Sequence, residues 1–345
     1  MLSRLFWSRG AVSSIGERLQ NGWKKAPRSH SLGLLVIGGL WVALASFIYY
    51  NTQVLNPYKS IEEAENLAVD YENTYKKYKD NPHPKVISAQ YEIALFPEKR
   101  SYNSLAKLKL VNPYDQPIDT LLFNVSSQQD EEFDFPNAQK VKEDEKHRVH
   151  FYVFNPPMTK GDTIDATVKV KYTPKGFSNG SASTSIIKNG SLLNNFEILP
   201  SIGYDASKEI SNRNKRRKYK LPPKDRMPAL EEDCGINCSK NYLTDGYSDF
   251  IDVETVISTS KDQIAIAPGS LIEQWEKDGR NHYRYRVDHP SQNFYSFISA
   301  DYTISKRKWK DVEIEIYHDR KHHVNIDRML DAVERSLTYY TENFG

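Results

Sequence analysis

Near its C-terminal end the chain reads His318-Asp319-Arg320-Lys321-His322, two imidazoles four residues apart with a carboxylate beside the first. On a helix this spacing puts both rings on one face, where they can share a zinc ion while the carboxylate activates a bound water. Four features argue against that chemistry. Asp319 is one methylene shorter than the Glu such a site uses, and its neighbours are charged rather than apolar. The position for a third ligand one helix later falls on Thr341, with Glu342 one place off. The segment also follows an alternating run, so it is assigned to a strand end and a polar turn. No catalytic residue and no metal ligand is assigned in this chain. His147 and His150 form a weaker pair, because positions three apart in a strand point to opposite faces. Cys234 and Cys238 are the chain's two cysteines. They exclude a disulfide scaffold and a Cys-rich zinc module, and they form either a local disulfide or two free thiols.

Arg213 to Lys220 holds six cations in eight residues (Arg213, Lys215, Arg216, Arg217, Lys218, Lys220). Nucleic acid or anionic lipid would be the specific partner for such a run. The reading preferred is a solvated loop, closed by Pro222-Pro223 and balanced by Glu231, Glu232 and Asp233. Across all 345 residues, 47 Lys and Arg against 45 Asp and Glu leave a net charge of +2, so no nucleic-acid partner is expected. There is no G-x-S-x-G, no P-loop and no dinucleotide fingerprint. Apolar residues make up 39% of the chain, enough for a core, and the mean hydropathy of −0.67 excludes a polytopic membrane protein.

One stretch departs from that polar average. Ser31 to Tyr50 is twenty residues without a charge. As a helix it would span about 30 Å, the thickness of a hydrocarbon core, and Trp41, Tyr49 and Tyr50 suit the headgroup level. It exceeds a signal peptide's apolar region, and no small-residue cleavage site follows. Arg4, Arg9, Arg18, Lys24, Lys25 and Arg28 precede it with Glu17 as the one acid, whereas Lys59 faces Glu62, Glu63, Glu65 and Asp70 after it. The positive-inside rule then puts residues 1–30 in the cytoplasm and residues 51–345 outside, on the periplasmic side of an inner membrane. Residues 1–30 mix those cations with Leu2, Leu5, Phe6, Trp7, Val12, Ile15, Leu19 and Trp23. That composition fits either an amphipathic helix on the bilayer surface or a disordered basic tail.

The elements after the membrane follow from period and punctuation. Ser60 starts a helix, with Glu63 closing a capping box. Ile61, Ala64, Ala68, Tyr71, Tyr75 and Tyr78 form one stripe on about twenty residues, a stalk within residues 51–84 that lies against its own domain. From Val86 the period becomes two. Leu108 and Leu110 alternate with lysines, and Ile164, Ala166, Val168, Val170 and Tyr172 share a strand face. Tyr283, Tyr285 and Val287 do the same, then Ile298, Ala300, Tyr302 and Ile304, then Val312, Ile314 and Ile316. Asn179-Gly180 and Asn189-Gly190 are hairpin signals. The fold class expected is mainly β: one apolar N-terminal helix, a helical stalk, and a large antiparallel β-sandwich. Ile326, Met329, Leu330, Val333, Leu337 and Tyr340 then mark a last helix, and a β-domain that starts a helix and stops there looks cut.

Five segments in order carry a resemblance. They are Phe47–Asn56, Asn189–Asn195 with Pro200–Tyr204, Ser258–Gly269, Phe294–Ala300, and Asn325–Met329 running to Tyr339–Gly345. Together they resemble bacterial membrane proteins in which an ABC transporter permease is fused to an aminopeptidase-N-like zinc metallopeptidase domain. The resemblance implies that residues 31–50 are the last permease helix and that 85–310 form the saddle-shaped N-terminal β-domain. It implies that 311–345 are the last strand and first helix of the catalytic domain. The family's G-A-M-E-N motif, H-E-x-x-H helix, third zinc ligand and catalytic Tyr all follow that helix, so none maps onto this chain. Zinc is implied for the full-length family protein and not for this chain. Asn194-Asn195-Phe196-Glu197 stands where the family carries a Thr-Gln pair lining the pocket for the first substrate residue, which makes Asn195 a substrate-binding candidate in place of Gln. The implied partners are the lipid bilayer, a peptide substrate, and the catalytic and permease domains. The expected function is thus a membrane-anchored β-domain that flanks a peptide cleft and is inactive alone. The alternative is a non-enzymatic, membrane-anchored interaction module outside the cytoplasm.

Overall fold

The computed structural model describes residues 14–25, 28–126, 128–180, 183–224 and 250–345. Cys234, Cys238 and the acids Glu231, Glu232 and Asp233 lie outside the described residues. The chain forms two compact units: residues through Lys59 with the segment beginning at Lys175, and Ser60–Pro174 with the chain from Ser183 to Gly345.

In the first unit, α1 spans Ile15–Lys25 and α2 spans Arg28–Tyr49, continued by a π turn over Tyr50–Leu55. The apolar helix therefore runs Leu32–Leu55, 24 residues, beyond the charge-free stretch. Polar side chains extend it by folding back on the backbone. Asn51 Nδ2 donates to Phe47 O at 2.8 Å and Thr52 Oγ1 to Ile48 O at 2.9 Å. Asn56 Nδ2 then donates to Lys175 O at 2.7 Å. None of the apolar window is buried. A helix apolar on every side belongs in a core or a membrane, and this length can cross a bilayer. A signal sequence satisfies the same measure.

Among the described residues the second unit holds eighteen strands: β1 Lys85–Phe96, β2 Ser101–Val111, β3 Ile118–Asn124, β4 Gln129–Asp134, β5 Ala138–Asp144, β6 Val149–Met158, β7 Thr163–Tyr172, β8 Ile186–Ile187, β9 Gly190–Asn194, β10 Ser201–Ile202, β11 Phe250–Ser260, β12 Ile264–Ile266, β13 Ser270–Lys277, β14 Arg280–Arg286, β15 Ser291–Gln292, β16 Ser296–Ala300, β17 Thr303–Trp309 and β18 Val312–His318. Its helices are α3 Ile61–Tyr75, α4 Asn195–Ile198, α5 Arg213–Lys218 and α6 Ile326–Phe344. The large sheet runs β13-β14-β11-β1-β2-β7-β4, with β15 on β11. β1 pairs β11 in parallel, Ser88 opposite Asp252 through Ala94 opposite Ser258. The other ladders of this sheet are antiparallel, as expected. Alternation reports which face is buried, and that signal is the same in both kinds of ladder.

The inner face of the large sheet packs on two four-stranded sheets, β10-β3-β6-β5 and β12-β16-β9-β8. Ile93, Leu108 and Val168 meet Phe123, Phe154 and Phe297 in one core. Asn189-Gly190 turns β8 into β9 as expected, whereas Asn179-Gly180 lies in a loop and joins no described strands. The Ile298–Ile304 run is two strands, β16 and β17, and it is Phe297 that turns fully inward. A buried polar residue misleads the alternation here. Ser299 sits inside because its Oγ donates to Gln263 Oε1 at 2.7 Å and meets Thr259 Oγ1 at 2.7 Å.

The capping box of α3 forms as its sequence requires, Ser60 Oγ accepting from Glu63 N–H and the Glu63 carboxylate from Ser60 N–H. The helix stops at Tyr75, short of twenty residues, and tightens to a 3₁₀ turn over Lys76–Tyr78. Tyr71 and Tyr75 bury against Leu122, Val149 and Phe151, the far face of β3 and β6, while Ile61 stays exposed. Gly269 lets the chain turn into β13: its φ is +93°, and a Cβ there would lie 2.2 Å from Arg286 O. β17 and β18 form a hairpin whose Ile314 packs on Ile326 and Leu330 of α6.

Candidate functional site

The candidate site is built at the end of the β8–β9 hairpin. Asn194 closes β9 and caps α4: its Oδ1 accepts from the N–H groups of Phe196 and Glu197, both at 3.0 Å, and the Glu197 carboxylate accepts from Asn194 N–H at 2.9 Å. That cap places Asn195 in the wall of a 390 Å³ cavity also lined by Phe196, Asn293, Phe123, Phe135 and His83. Asn195 is 1% exposed. Its Nδ2 donates to Asn293 O and Oδ1, both at 3.1 Å, and its Oδ1 accepts from Tyr295 N–H at 3.2 Å. Both amide hydrogens are thus committed to holding α4 on residues 293–295. Its Oδ1 keeps a second acceptor position by chemistry, on a side chain that is almost wholly enclosed. The cavity around it mixes apolar walls with His83, Lys85 and Asp205 and lies within the ~300–1,000 Å³ usual for small-ligand sites.

A second cavity, 360 Å³, shares the Phe196–Ser201 turn and is polar. Tyr102 OH donates to Glu197 O at 2.8 Å, and Gln129 Nε2 donates to the same oxygen at 2.7 Å. Lys208 Nζ donates to Asn124 Oδ1 at 2.9 Å, and burial pushes its pKa down. Glu131 is the unusual group. β4 alternates, with Asp130, Glu132 and Asp134 outward and Glu131 and Phe133 inward, so an acid enters the core face opposite Val170. Burial pushes its carboxyl up to about 7, against a hydrogen bond from Ser126 N–H to Oε1 at 2.9 Å. Its Oε2 has no partner among the described residues. The sequence reading missed Glu131. The signal was parity, one acid in step with Phe133 rather than with the other acids.

The remaining candidates separate. His318 ends β18, with Nε2 3.0 Å from Ser305 Oγ, and His322 stands in the exposed turn beyond, so the two imidazoles do not share a helix face. His147 lies between Asp144 and Asp70, 2.8 and 3.1 Å from their carboxylates, while His150 faces Glu143 at 3.2 Å. Among the described residues no group of three His, Cys, Asp or Glu is arranged to hold a metal ion. The solvated loop expected at Arg213–Lys220 is corrected. Residues 213–218 are the short helix α5, capped by Asn212, and Arg216 is 2% exposed. Its guanidinium grips Glu72 of α3 at 2.7 and 2.9 Å. Lys215 and Lys218 pair with Glu65 at 2.8 and 3.1 Å. Lys215, Tyr219 and Lys218 together hold the Glu65 carboxyl down at about 2. Among the described residues the acids that answer the basic run are Glu65 and Glu72 on α3, far back in the sequence, and Glu209.

No family model matches the chain, and no curated protein matches it. Among solved structures it is similar to an M1 zinc metallopeptidase from Deinococcus radiodurans, at 11% identity and a TM-score of 0.40, covering 69% of this chain and 47% of that one. It is also similar to Legionella pneumophila aminopeptidase A in complex with aspartic acid, at 12% identity and a TM-score of 0.45, covering 77% of this chain and 28% of that one. The chain spans less than half the length of either structure.

Proposed function

We propose that this chain is the membrane-anchored β-domain part of an aminopeptidase-N-like metallopeptidase, a non-catalytic wall for a peptide cleft. Residues 85–310 would flank the cleft, and the zinc and its ligands would belong to the full-length protein. The apolar helix would be the last span of a fused permease. The order of the five resembling segments supports this reading, from Phe47–Asn56 to the last helix. The observation that carries it is the capped Asn194–Glu197 turn, which sets a rigid Asn195 amide and the Phe196 ring at the wall of a cavity with a mixed apolar and charged lining. An apolar first side chain of a peptide fits the apolar part of that cavity, and the second acceptor position of Asn195 Oδ1 accepts from the peptide's amino terminus.

The test places a benzophenone amino acid at Phe196 in the full chain. Peptides with a free amino terminus and an apolar first residue are expected to crosslink there on irradiation, and N-acetylated ones are not. Aminoacyl-coumarin substrates are expected to stay intact with or without added zinc. Equal crosslinking of both peptides, no crosslinking, or hydrolysis by the purified chain would each reject the assignment.

A further inference from the structure

Among the described residues of the apolar helix only Asn51 and Thr52 are buried, each 4% exposed, while Phe47, Ile48 and Val54 are open. Their hydrogen bonds to Phe47 O and Ile48 O satisfy two polar groups without covering them. The cover comes from the loop after β7, whose segment beginning at Lys175 belongs to the same compact unit as the helix. Gly176, at φ +59°, lies directly against the helix end: a Cβ there would run into Asn51 Oδ1 and stand 3.2 Å from Leu55 Cδ1. Asn56 fastens the loop, its Nδ2 donating to Lys175 O at 2.7 Å and to Phe177 O at 3.2 Å. The Phe177 ring is thereby set 5.7 Å from the Phe47 ring, and it remains 43% exposed.

That distance bounds the depth of Phe177 in a bilayer crossed by the helix. Phe47 stands three residues inside the charge-free stretch that ends at Tyr50, about 5 Å along the axis. A ring 5.7 Å from it lies at the acyl–headgroup boundary or deeper. Aromatic rings are favoured at that boundary. Irregular backbone at membrane depth is tolerated only where its polar groups are satisfied within the protein, and Asn56 does this for two of the loop's carbonyls. Lys175, Ser178 and Asn179 flank the ring in sequence, and a lysine keeps its ammonium among headgroups while its stem lies along apolar surface. We propose that residues 175–177 clasp the end of the membrane span and seat Phe177 in the acyl–headgroup boundary beside Phe47, a second contact with lipid. This rests on the reading of Leu32–Leu55 as a membrane span.

The full chain, with a diazirine phenylalanine in place of Phe177 or of Phe47, is reconstituted in nanodiscs whose phosphatidylcholine carries an alkyne on its acyl chain. Lipid attached on irradiation is tagged through the alkyne and read on the protein. Position 177 is expected to take up lipid to an extent comparable with position 47. Gly176→Val, which crowds Asn51, and Asn56→Ala, which removes the fastening amide, are each expected to cut the label at 177 several-fold and to leave the label at 47 unchanged. Lipid at 47 and none at 177 overturns the proposal and leaves the span in place. Label at 177 that is unchanged by either substitution overturns the clasp. No lipid at either position overturns the membrane span itself, a separate outcome.

Discussion

Glu131 shows what a single side chain can hide. A string of four acids among six residues reads as a solvated edge, and three of the four are outward. The fourth follows the strand's parity inward, where a carboxylate with one unpartnered oxygen is costly and the proton is retained. Its ordinary value is 4.5 and its folded value about 7. The folded state therefore holds more protons than the unfolded state between those values, so stability falls as pH rises through that window and is flat above it. Glu131→Gln keeps the shape and removes the charge. Thermal unfolding of the variant is expected to show little pH dependence from 5 to 7 and a melting temperature above the parent's at pH 8. A slope unchanged in the variant would assign the titration to another group. Asn195 is the opposite case. Its place beside a hairpin end could be read from Asn189-Gly190 and the capping residues Asn194 and Glu197. Its partners Asn293 and Tyr295 lie about a hundred residues on and left no local trace.

Between elements, α3 and α5 make the contact that periodicity could not foresee. The capping box and the tyrosine stripe of α3 were legible because both are local, and Tyr71 and Tyr75 are buried as that stripe requires. The six-cation run has no apolar period, and the burial of Arg216 depends on Glu72, distant in sequence, together with the nearby Glu209 and the carbonyls of Ile210 and Pro222. Arg216 and Glu72, with side chains 3% and 2% exposed, form a two-pronged ion pair backed by Arg216 donating to Ile210 O at 2.8 Å. Removing Arg216 leaves Glu72 with Lys76 at 3.0 Å, so the cost lies toward the low end of the about 3–5 kcal/mol for a stranded buried charge. Arg216→Met is accordingly expected to lower the melting temperature by roughly 10 °C, given about 2–4 °C per kcal/mol for a domain of this size. Glu72→Met/Arg216→Met is expected to recover most of that loss, since no charge is left unpaired. Near-UV circular dichroism during heating reads both. Additive losses in the double variant would mean that the two side chains act independently.

At the scale of the whole molecule, strand faces, the apolar helix and the mainly antiparallel class were visible in the sequence, and the one parallel pairing was not. Alternation sorts Val168 from Lys169 without saying whether β11 runs with or against β1, because a long connection decides that. Charge asymmetry adds what neither hydropathy nor backbone geometry contains, namely an expected orientation for the proposed membrane span. Six cations and one acid precede the helix, and one cation faces four acids soon after it. Lys and Arg resist translocation, so the proposed single span would leave the N-terminus in the cytoplasm and carry the β-domain outward. With a tag at each end, protease added outside spheroplasts is expected to destroy the C-terminal tag and spare the N-terminal one, both having begun on one polypeptide of full length. Exchanging Arg4, Arg9, Arg18, Lys24, Lys25 and Arg28 for Gln is expected to scramble that orientation. Two tags on separate fragments before protease would instead identify the apolar helix as a cleaved signal. A protected C-terminal tag in intact spheroplasts would place the β-domain in the cytosol and remove the basis for a peptide cleft facing the periplasm.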